Sequence, residues 1–420
     1  MGTPPQQFFK EMFIVEIVYE RCCGIDVHKN LIVACLMNGR KREIQDFGTM
    51  TEDLRKLTTW LLEAECQMVA MESTGSYWKP LYNILELSGL DAIVVNAAHM
   101  KALPGRKTDV KDAEWIADLL RHGLLRASYI PDRHQRELRE IARYRKSLTE
   151  ERSRELNRLQ KMLEGANLKL SSVVSDINCK SSRRLLNKIV EGESLDEEKV
   201  KDLIYVKMHK KIDQIMPAID GIISPLQRRL FESIIRHIDD MTGRINEMSS
   251  IIGDYLKEYE TAIVAITALP GIARTSAEMI IAEIGIDMSR FPTAAHLCSW
   301  AGLCPGNNES AGKRTSGRTT KGNKQLKSTL VQCAQIAKRV KRSFFSAQYQ
   351  RLVVRRGKNR ATVAVAHSML IAIYHVLKTG EPFSDLGADY YLQFNREQKI
   401  NSYLKKLQSL GWEQPAVAIV

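Results

Sequence analysis

The chain contains no Cys-x-x-Cys pair, no membrane-length apolar run and, over one long stretch, almost no acid. Each absence removes a class of protein. The eight cysteines, at positions 22, 23, 35, 66, 179, 298, 304 and 333, follow no zinc-ligand spacing and no disulfide framework. They are expected to be reduced thiols, mostly in cores, of a cytoplasmic protein. Nothing approaches the roughly 18 uninterrupted apolar residues of a membrane span. The start, MGTPPQQFFKEMF, lacks the charged residues, apolar stretch and cleavage site of a signal peptide. No membrane partner is therefore expected.

The missing acids lie between Cys304 and Arg360, where Glu309 stands alone against 15 Lys and Arg. The whole chain of 420 residues carries a net charge of +13, so this one segment holds the entire surplus. A local excess of that sign suits a polyanion, nucleic acid first.

At 44% hydrophobic residues, the chain has material for two or three cores. Residues 16 to 49 hold three strand-like runs, EIVYERCCGID, LIVACLMNG and REIQDFGT, separated by the turn signals HKN and NGRKR. They predict an antiparallel meander. TEDLRKLTTWLLEAE then reads as a helix capped by Thr51, with Leu54, Leu57, Leu61 and Leu62 on its buried face. Strand QMVAM, helix YWKPLYNILELSG, strand DAIVVN and a helix from about Val110 to Leu125 follow. The order βββαβαβα is that of the ribonuclease-H-like fold, a sheet covered by helices. From Pro131 to about Leu163 one long arginine-rich helix is expected, followed by more helix up to Tyr259. ITALPGIARTSAEMIIAEIG reads as helix, Pro-Gly turn, helix. The polar, glycine-rich CPGNNESAGKRTSGRTTKGNK comes next, then helices from about Lys324 to Leu377. The fold class is thus α/β plus α: a mixed sheet with helices, a long helical or coiled-coil middle, and a mainly helical C-terminal part with a helix-hairpin-helix-like motif.

Two carboxylates stand at the ends of apolar strands: Asp26 in GIDVHKN and Glu72 in MESTGSYW. A charged group is seldom left at such a position without a partner. In a ribonuclease-H-like order the first and fourth strands are neighbours, so the two acids would face each other. Adjacent anions in a poorly solvated site favour a bound cation. Asp109 and Asp112 in GRKTDVKDAEW share one face at the start of a helix, where acids are also favoured by the helix dipole. Four oxygen donors select Mg²⁺ or Mn²⁺ rather than zinc. A pair of such ions supports phosphoryl transfer. His28 and Lys29 lie close to Asp26 in sequence and read as solvated turn residues.

GID at 24–26, MESTGSYW at 71–78 and KTDVKDAEWIADLL at 107–120 resemble the DEDD insertion-sequence transposases of the "one-ten" class. That class includes bridge-RNA-guided recombinases and pilin-gene invertases. LPGIARTSAEMIIAEIG, FPTAAHLCSWAGLCPG and ESAGKRTSGRTTKGNKQLK resemble its second, transposase domain. The resemblance implies a RuvC-like metal site made by Asp26, Glu72, Asp109 and Asp112. It also implies a serine nucleophile which, after the AGLCPGNNES stretch, is Ser310. By the same resemblance the partners are element-end and target DNA, a guide RNA encoded by the element, and further copies of the chain in a homo-oligomer, all in the bacterial cytoplasm near the nucleoid. The divisions expected are an extension over 1–19, a catalytic domain over 20–130, a helical linker region over 131–261, a transposase domain over 262–380 and a tail over 381–420.

Lys313, Arg314, Arg318, Lys321, Lys324 and Lys327 follow Ser310 and suit phosphate contact. Gly271 of the Pro-Gly turn, with Ala273 where a second glycine is usual, is a candidate for backbone contact to phosphate. Arg136, Arg139 and Arg143 share a face of the long helix and suit RNA or another subunit. Two alternatives use the same residues: a metal-dependent RuvC-like nuclease (a junction resolvase) working through activated water, and a non-catalytic helix-hairpin-helix DNA-binding protein. A DEDD exonuclease is disfavoured because Asp26-Val27-His28 is not D-x-E. A sugar-kinase or ATPase relative is disfavoured because HKN is no glycine-rich phosphate turn.

Overall fold

β1 (Arg21–Val27) and β2 (Ile32–Asn38) are apolar at almost every position, a pattern that fits strands covered on both faces. With β3 (Lys41–Phe47) they form the expected antiparallel meander. β3 is exposed everywhere except Phe47 and lies at the sheet edge, where its charged side chains discourage further strand pairing. Helix α1 (Thr51–Glu63), β4 (Met68–Glu72), α2 (Trp78–Leu87), β5 (Ala92–Val95) and α3 (Asp112–Arg121) complete the region. The sheet order is β3-β2-β1-β4-β5, with β4 parallel to both β1 and β5. This is the ribonuclease-H-like order expected from the sequence. The computed structural model describes residues 16–73, 75–96, 112–306, 308–310, 313–316, 318–393 and 396–411.

Two details of α1 differ from expectation. Thr51 is its first helical residue rather than its cap; Met50 occupies the cap position, without a side-chain bond, and Glu52 and Asp53 offset the positive end of the dipole instead. Leu62 is 47% exposed while Leu54, Leu57 and Leu61 are buried, because one residue step turns a helix by about 100°.

The two sheet faces are packed differently. Cys23, Ile25, Val27, Val69 and Met71 point to the side of Leu57, Leu61, Leu81 and Leu85, from α1 and α2. Cys22, Ala70 and Val95 point to the other side, against Ala113, Ile116, Ala117 and Leu120 of α3. Gly24 makes that second contact possible. A Cβ there would stand 2.2 Å from the backbone nitrogen of Ala117 and 2.4 Å from the carbonyl oxygen of Ala113. The carbonyl of Arg121, at the end of α3, accepts from Val18 and Tyr19 just before β1. Helix α3 therefore runs against β1, and its Asp112 end lies towards the Asp26 end of the strand.

One compact unit ends at Arg133 and a second begins at His134. The second contains most of the long α4 (Arg133–Gly165), the arginine-rich helix expected from the sequence. Leu159 and Leu163 of α4 join a core with Leu185 and Leu186 of α5 (Lys180–Glu191) and Phe231 and Ile238 of α6 (Pro225–Tyr255). Ser224 and Gln227 form a reciprocal capping box at the start of α6, with Pro225 at the first helical position. Then come α7 (Glu260–Thr267), α8 (Arg274–Ile284), α9 (Ala294–Trp300), a two-stranded hairpin of β6 (Asn308–Ser310) and β7 (Lys313–Ser316), α10 (Lys324–Ala337), α11 (Phe344–Arg356), α12 (Lys358–Thr379) and α13 (Arg396–Ser409). The hairpin is a departure, since its short polar strands lack the apolar alternation that signals β structure. Helix α12 is long and apolar enough to cross a membrane, but half of that window is buried in this unit, against α7, α9, α10 and α11.

Gly24→Ala should cost about 3 kcal/mol or more, because backbone on both elements would have to move apart. Urea unfolding measures it, and a cost below about 1 kcal/mol would mean that α3 is free to shift. Burial pushes the thiols of Cys22 and Cys298 up to about 12, and those of Cys35 and Cys66 to about 11, from an ordinary 9.0. The folded chain holds these protons more tightly than the unfolded one. Stability should be complete below pH 9.0 and decline as pH rises towards 11. Denaturation midpoints taken across that range check the sign. Native alkylation at neutral pH should be confined to Cys179 and Cys304, the half-buried pair.

Candidate functional site

The register of β1 on β4 pairs Gly24 with Ala70 and Ile25 with Met71. One step further, Asp26 falls beside Glu72, on the α3 face of the sheet. Asp26 is 6% exposed and Glu72 is half-buried. Neighbouring strands lie about 4.8 Å apart. Carboxylates at adjoining positions on such strands are close enough to repel. The Nε2 of His28 lies 2.9 Å from Oδ2 of Asp26, so the turn after β1 folds back onto its own carboxylate. Asp112 is the first residue of α3, half-buried, at the same end of the sheet. Asp109, the fourth acid, lies outside the described residues. Among the described residues no three histidine, cysteine or acidic side chains are gathered closely enough to hold a metal ion. The donor chemistry nevertheless fits a hard divalent cation: two adjacent carboxylates on rigid strand ends and a third on a helix packed against the same face.

The second unit places the basic candidates. Ser310 and Lys313 are paired residues at the end of the β6–β7 ladder, and Arg314 is paired with Glu309. The hairpin is closed at its base by Gly306 N–H donating to the Arg318 carbonyl (2.8 Å) and Thr320 N–H donating to that of Cys304 (3.1 Å). Arg318, Lys321 and Lys324 are exposed; Lys327 is half-buried and donates to Thr319 Oγ1. Lys324 and Lys327 lie in the first turn of α10, which contains no acid. Cations there add to the positive end of the helix dipole, and the combined field attracts an anion.

Gly271 has φ +86, and a Cβ on it would meet the carbonyl oxygen of Cys333 at 2.6 Å. Its first requirement is thus close approach to α10. Ala273 caps α8 without a side-chain bond, so the amides of that first turn take no side-chain cap from it. Of the arginines on α4, Arg136 is half-buried, while Arg139 and Arg143 engage α8. The Arg143 guanidinium donates to both oxygens of Glu283, at 2.6 and 2.9 Å, and Arg139 Nη2 donates to the Glu283 carbonyl at 2.6 Å. Beside this cluster in sequence, buried Arg145 donates to buried Glu278 at 2.6 Å. Lys146 donates to Ser328 Oγ at 3.0 Å, and burial pulls its ammonium below the usual lysine value.

Sequence reasoning overlooked these two buried glutamates. The available signal was an acid inside each apolar turn of AEMIIAEIG. Asn323 was also missed, although a residue of that type before a helical run is a cap signal.

A ribonuclease-H-like sheet with carboxylates at adjoining strand ends, joined to a basic helical unit, defines a class of enzymes that act on nucleic-acid phosphates. Residues 23–168 match the DEDD transposase model of IS110 elements, described as "Transposase", and residues 264–350 match the model described as "Transposase IS116/IS110/IS902 family". The chain belongs to the IS110 family of transposases, enzymes that cleave and transfer DNA strands. It is 24% identical over 330 residues to "Putative transposase y4qE" of Sinorhizobium fredii, covering 75% of this chain and 71% of that protein. It is 23% identical over 372 residues to "Pilin gene-inverting protein" of Moraxella bovis, covering 86% and 96%. Over 299 residues it is 25% identical to "Insertion element IS110 uncharacterized 43.6 kDa protein" of Streptomyces coelicolor, covering 66% and 72%. Helices α5 and α6 lie between the two matched segments, and share a core with Leu159 and Leu163 at the end of the first.

DNA binding should weaken steeply with salt. Replacing Lys321, Lys324 and Lys327 by Ala should reduce the slope of log K against log salt by about 0.9 for each phosphate that is no longer neutralised. An unchanged slope would remove these three lysines from the interface.

Proposed function

We propose that this transposase cuts and rejoins DNA through a serine nucleophile, Ser310, assisted by a divalent-metal site of Asp26, Glu72, Asp109 and Asp112. The observation that carries the reading is the placement of Asp26 beside Glu72 at parallel strand ends, with Asp112 approaching the same end of the sheet. When bound, Mg²⁺ or Mn²⁺ supplies the charge that activates a hydroxyl and stabilises a departing oxygen. The chain's own part is to hold three carboxylates on stiff elements and to present the serine beside a ladder residue, Lys313, that bears a cation.

The chemistry balances without an external energy source. The Ser310 oxygen forms a bond to phosphorus, the bond from phosphorus to one deoxyribose oxygen breaks, and the serine proton ends on that released hydroxyl. One phosphodiester replaces another, so the reverse attack reseals the strand without ATP. Lys313, Arg314, Arg318, Lys321, Lys324 and Lys327 would hold the flanking phosphates, with Gly271 and Arg136, Arg139 and Arg143 as further nucleic-acid contacts. A guide RNA encoded by the element selects the DNA by base pairing, and a homo-oligomer brings serine and acids together. The pilin gene-inverting relatives support recombination rather than simple cutting.

The test is a covalent protein–DNA adduct. Protein co-expressed with the DNA flanking its gene is given Mg²⁺ and element-end DNA, then denatured. An adduct formed by wild type and lost in Ser310→Ala and in Asp112→Ala is expected. Cleavage without an adduct, surviving Ser310→Ala but not Asp112→Ala, would establish a metal-activated water and a RuvC-like nuclease instead.

A further inference from the structure

Glu283 is fully buried, at 0% exposure, between the buried Ala282 and Ile284 near the end of α8. Arg143 grips both of its oxygens, Arg139 Nε lies 3.3 Å from Oε2, and Asn323 Nδ2 donates to that same oxygen at 2.6 Å. Asn323 is a two-sided residue. Its Oδ1 accepts from the backbone N–H groups of Gln325 and Leu326, both at 3.0 Å, and so caps α10. Only one amide orientation satisfies both sides, because the capping partners are donors and Glu283 is an acceptor.

Asn323 is also the last residue of the hairpin's base. Its backbone N–H donates to the Trp300 carbonyl at 3.1 Å. Immediately before it, Gly322 lies against Gly302 so closely that a Cβ would come within 2.3 Å of the Gly302 nitrogen. From there the paired backbones of Cys304 with Thr320 and Gly306 with Arg318 lead outward to β6 and β7. A continuous path of short contacts therefore runs from α4, through Glu283 and Asn323, into the stem that carries Ser310. A well-packed apolar cluster in place of a buried ion pair is often as stable or more so. The ionic arrangement adds direction: hydrogen bonds fix an angle that apolar packing leaves loose.

We propose that Glu283, acting through Asn323, is the positioning residue of the serine hairpin, setting its stem against α4. The inference rests on the assignment of Ser310 as nucleophile for its catalytic consequence, though not for its structural one.

The test uses the full chain and three variants. Asn323→Asp keeps a good helix cap but sets a second carboxylate against Glu283. Glu283→Gln combined with Asn323→Asp restores one donor and one carboxylate, with the charge of the cluster as in wild type. Asn323→Ser keeps the cap without reaching Glu283, and serves if Asn323→Asp fails to fold. Amide hydrogen exchange of residues 308–316 is read beside that of α12, which reports global stability. In Asn323→Asp the hairpin amides should exchange about tenfold faster or more with α12 unchanged, and the double variant should return to within about threefold of wild type. Adduct formation on element-end DNA should follow the same order. Hairpin amides that exchange at the wild-type rate in Asn323→Asp, or a double variant as impaired as the single one, would overturn the proposal. A wild type with no Ser310-dependent adduct would overturn the nucleophile assignment alone, leaving the exchange data to decide the positioning role.

Discussion

The first unit depends on one close approach, backbone against backbone, where α3 crosses Gly24. Parallel pairing of β1 with β4 sets Asp26 and Glu72 side by side, and α3 must lie on the same face to bring Asp112 to that end. Any side chain on Gly24 would lift the helix, since Ala113 and Ala117 leave no space for a Cβ. Packing at one glycine therefore governs how far the third acid stands from the first two. Adjacent carboxylates destabilise the folded chain unless a cation or hydrogen-bond donor offsets them. His28 partly does so for Asp26.

The second unit solves the opposite electrostatic problem. Its surface and hairpin carry the chain's surplus of cations, while its core buries Glu278 and Glu283 under arginines from α4. Removing one partner of such a pair costs several kcal/mol, about 3–5. The arginines of α4 are thus committed to the fold as much as to any nucleic acid. Of the basic residues after Ser310, Arg318, Lys321 and Lys324 are exposed. Acids that attract a divalent cation and bases that neutralise phosphate both act on a polyanionic backbone.

Much of this was legible in the chain itself. Strand order, the carboxylates closing two apolar runs, the cation-rich segment and the Pro-Gly turn all follow from local pattern, because burial and turn geometry act over a few residues. The motifs GID, MESTGSYW and AGLCPGNNES were enough to place the family. Other features waited for the tertiary structure. The β6–β7 hairpin has no apolar alternation, so it is held by base contacts at Gly302, Gly322 and Asn323 rather than by its own strands. Arg139 and Arg143 read as surface cations until Glu283, 140 residues away from Arg143, is seen beneath them. Gly24 looked like any strand glycine until α3 lay across it. In each case the deciding contact joins residues far apart in sequence, and no local period encodes which partner a buried charge or a bare glycine will meet.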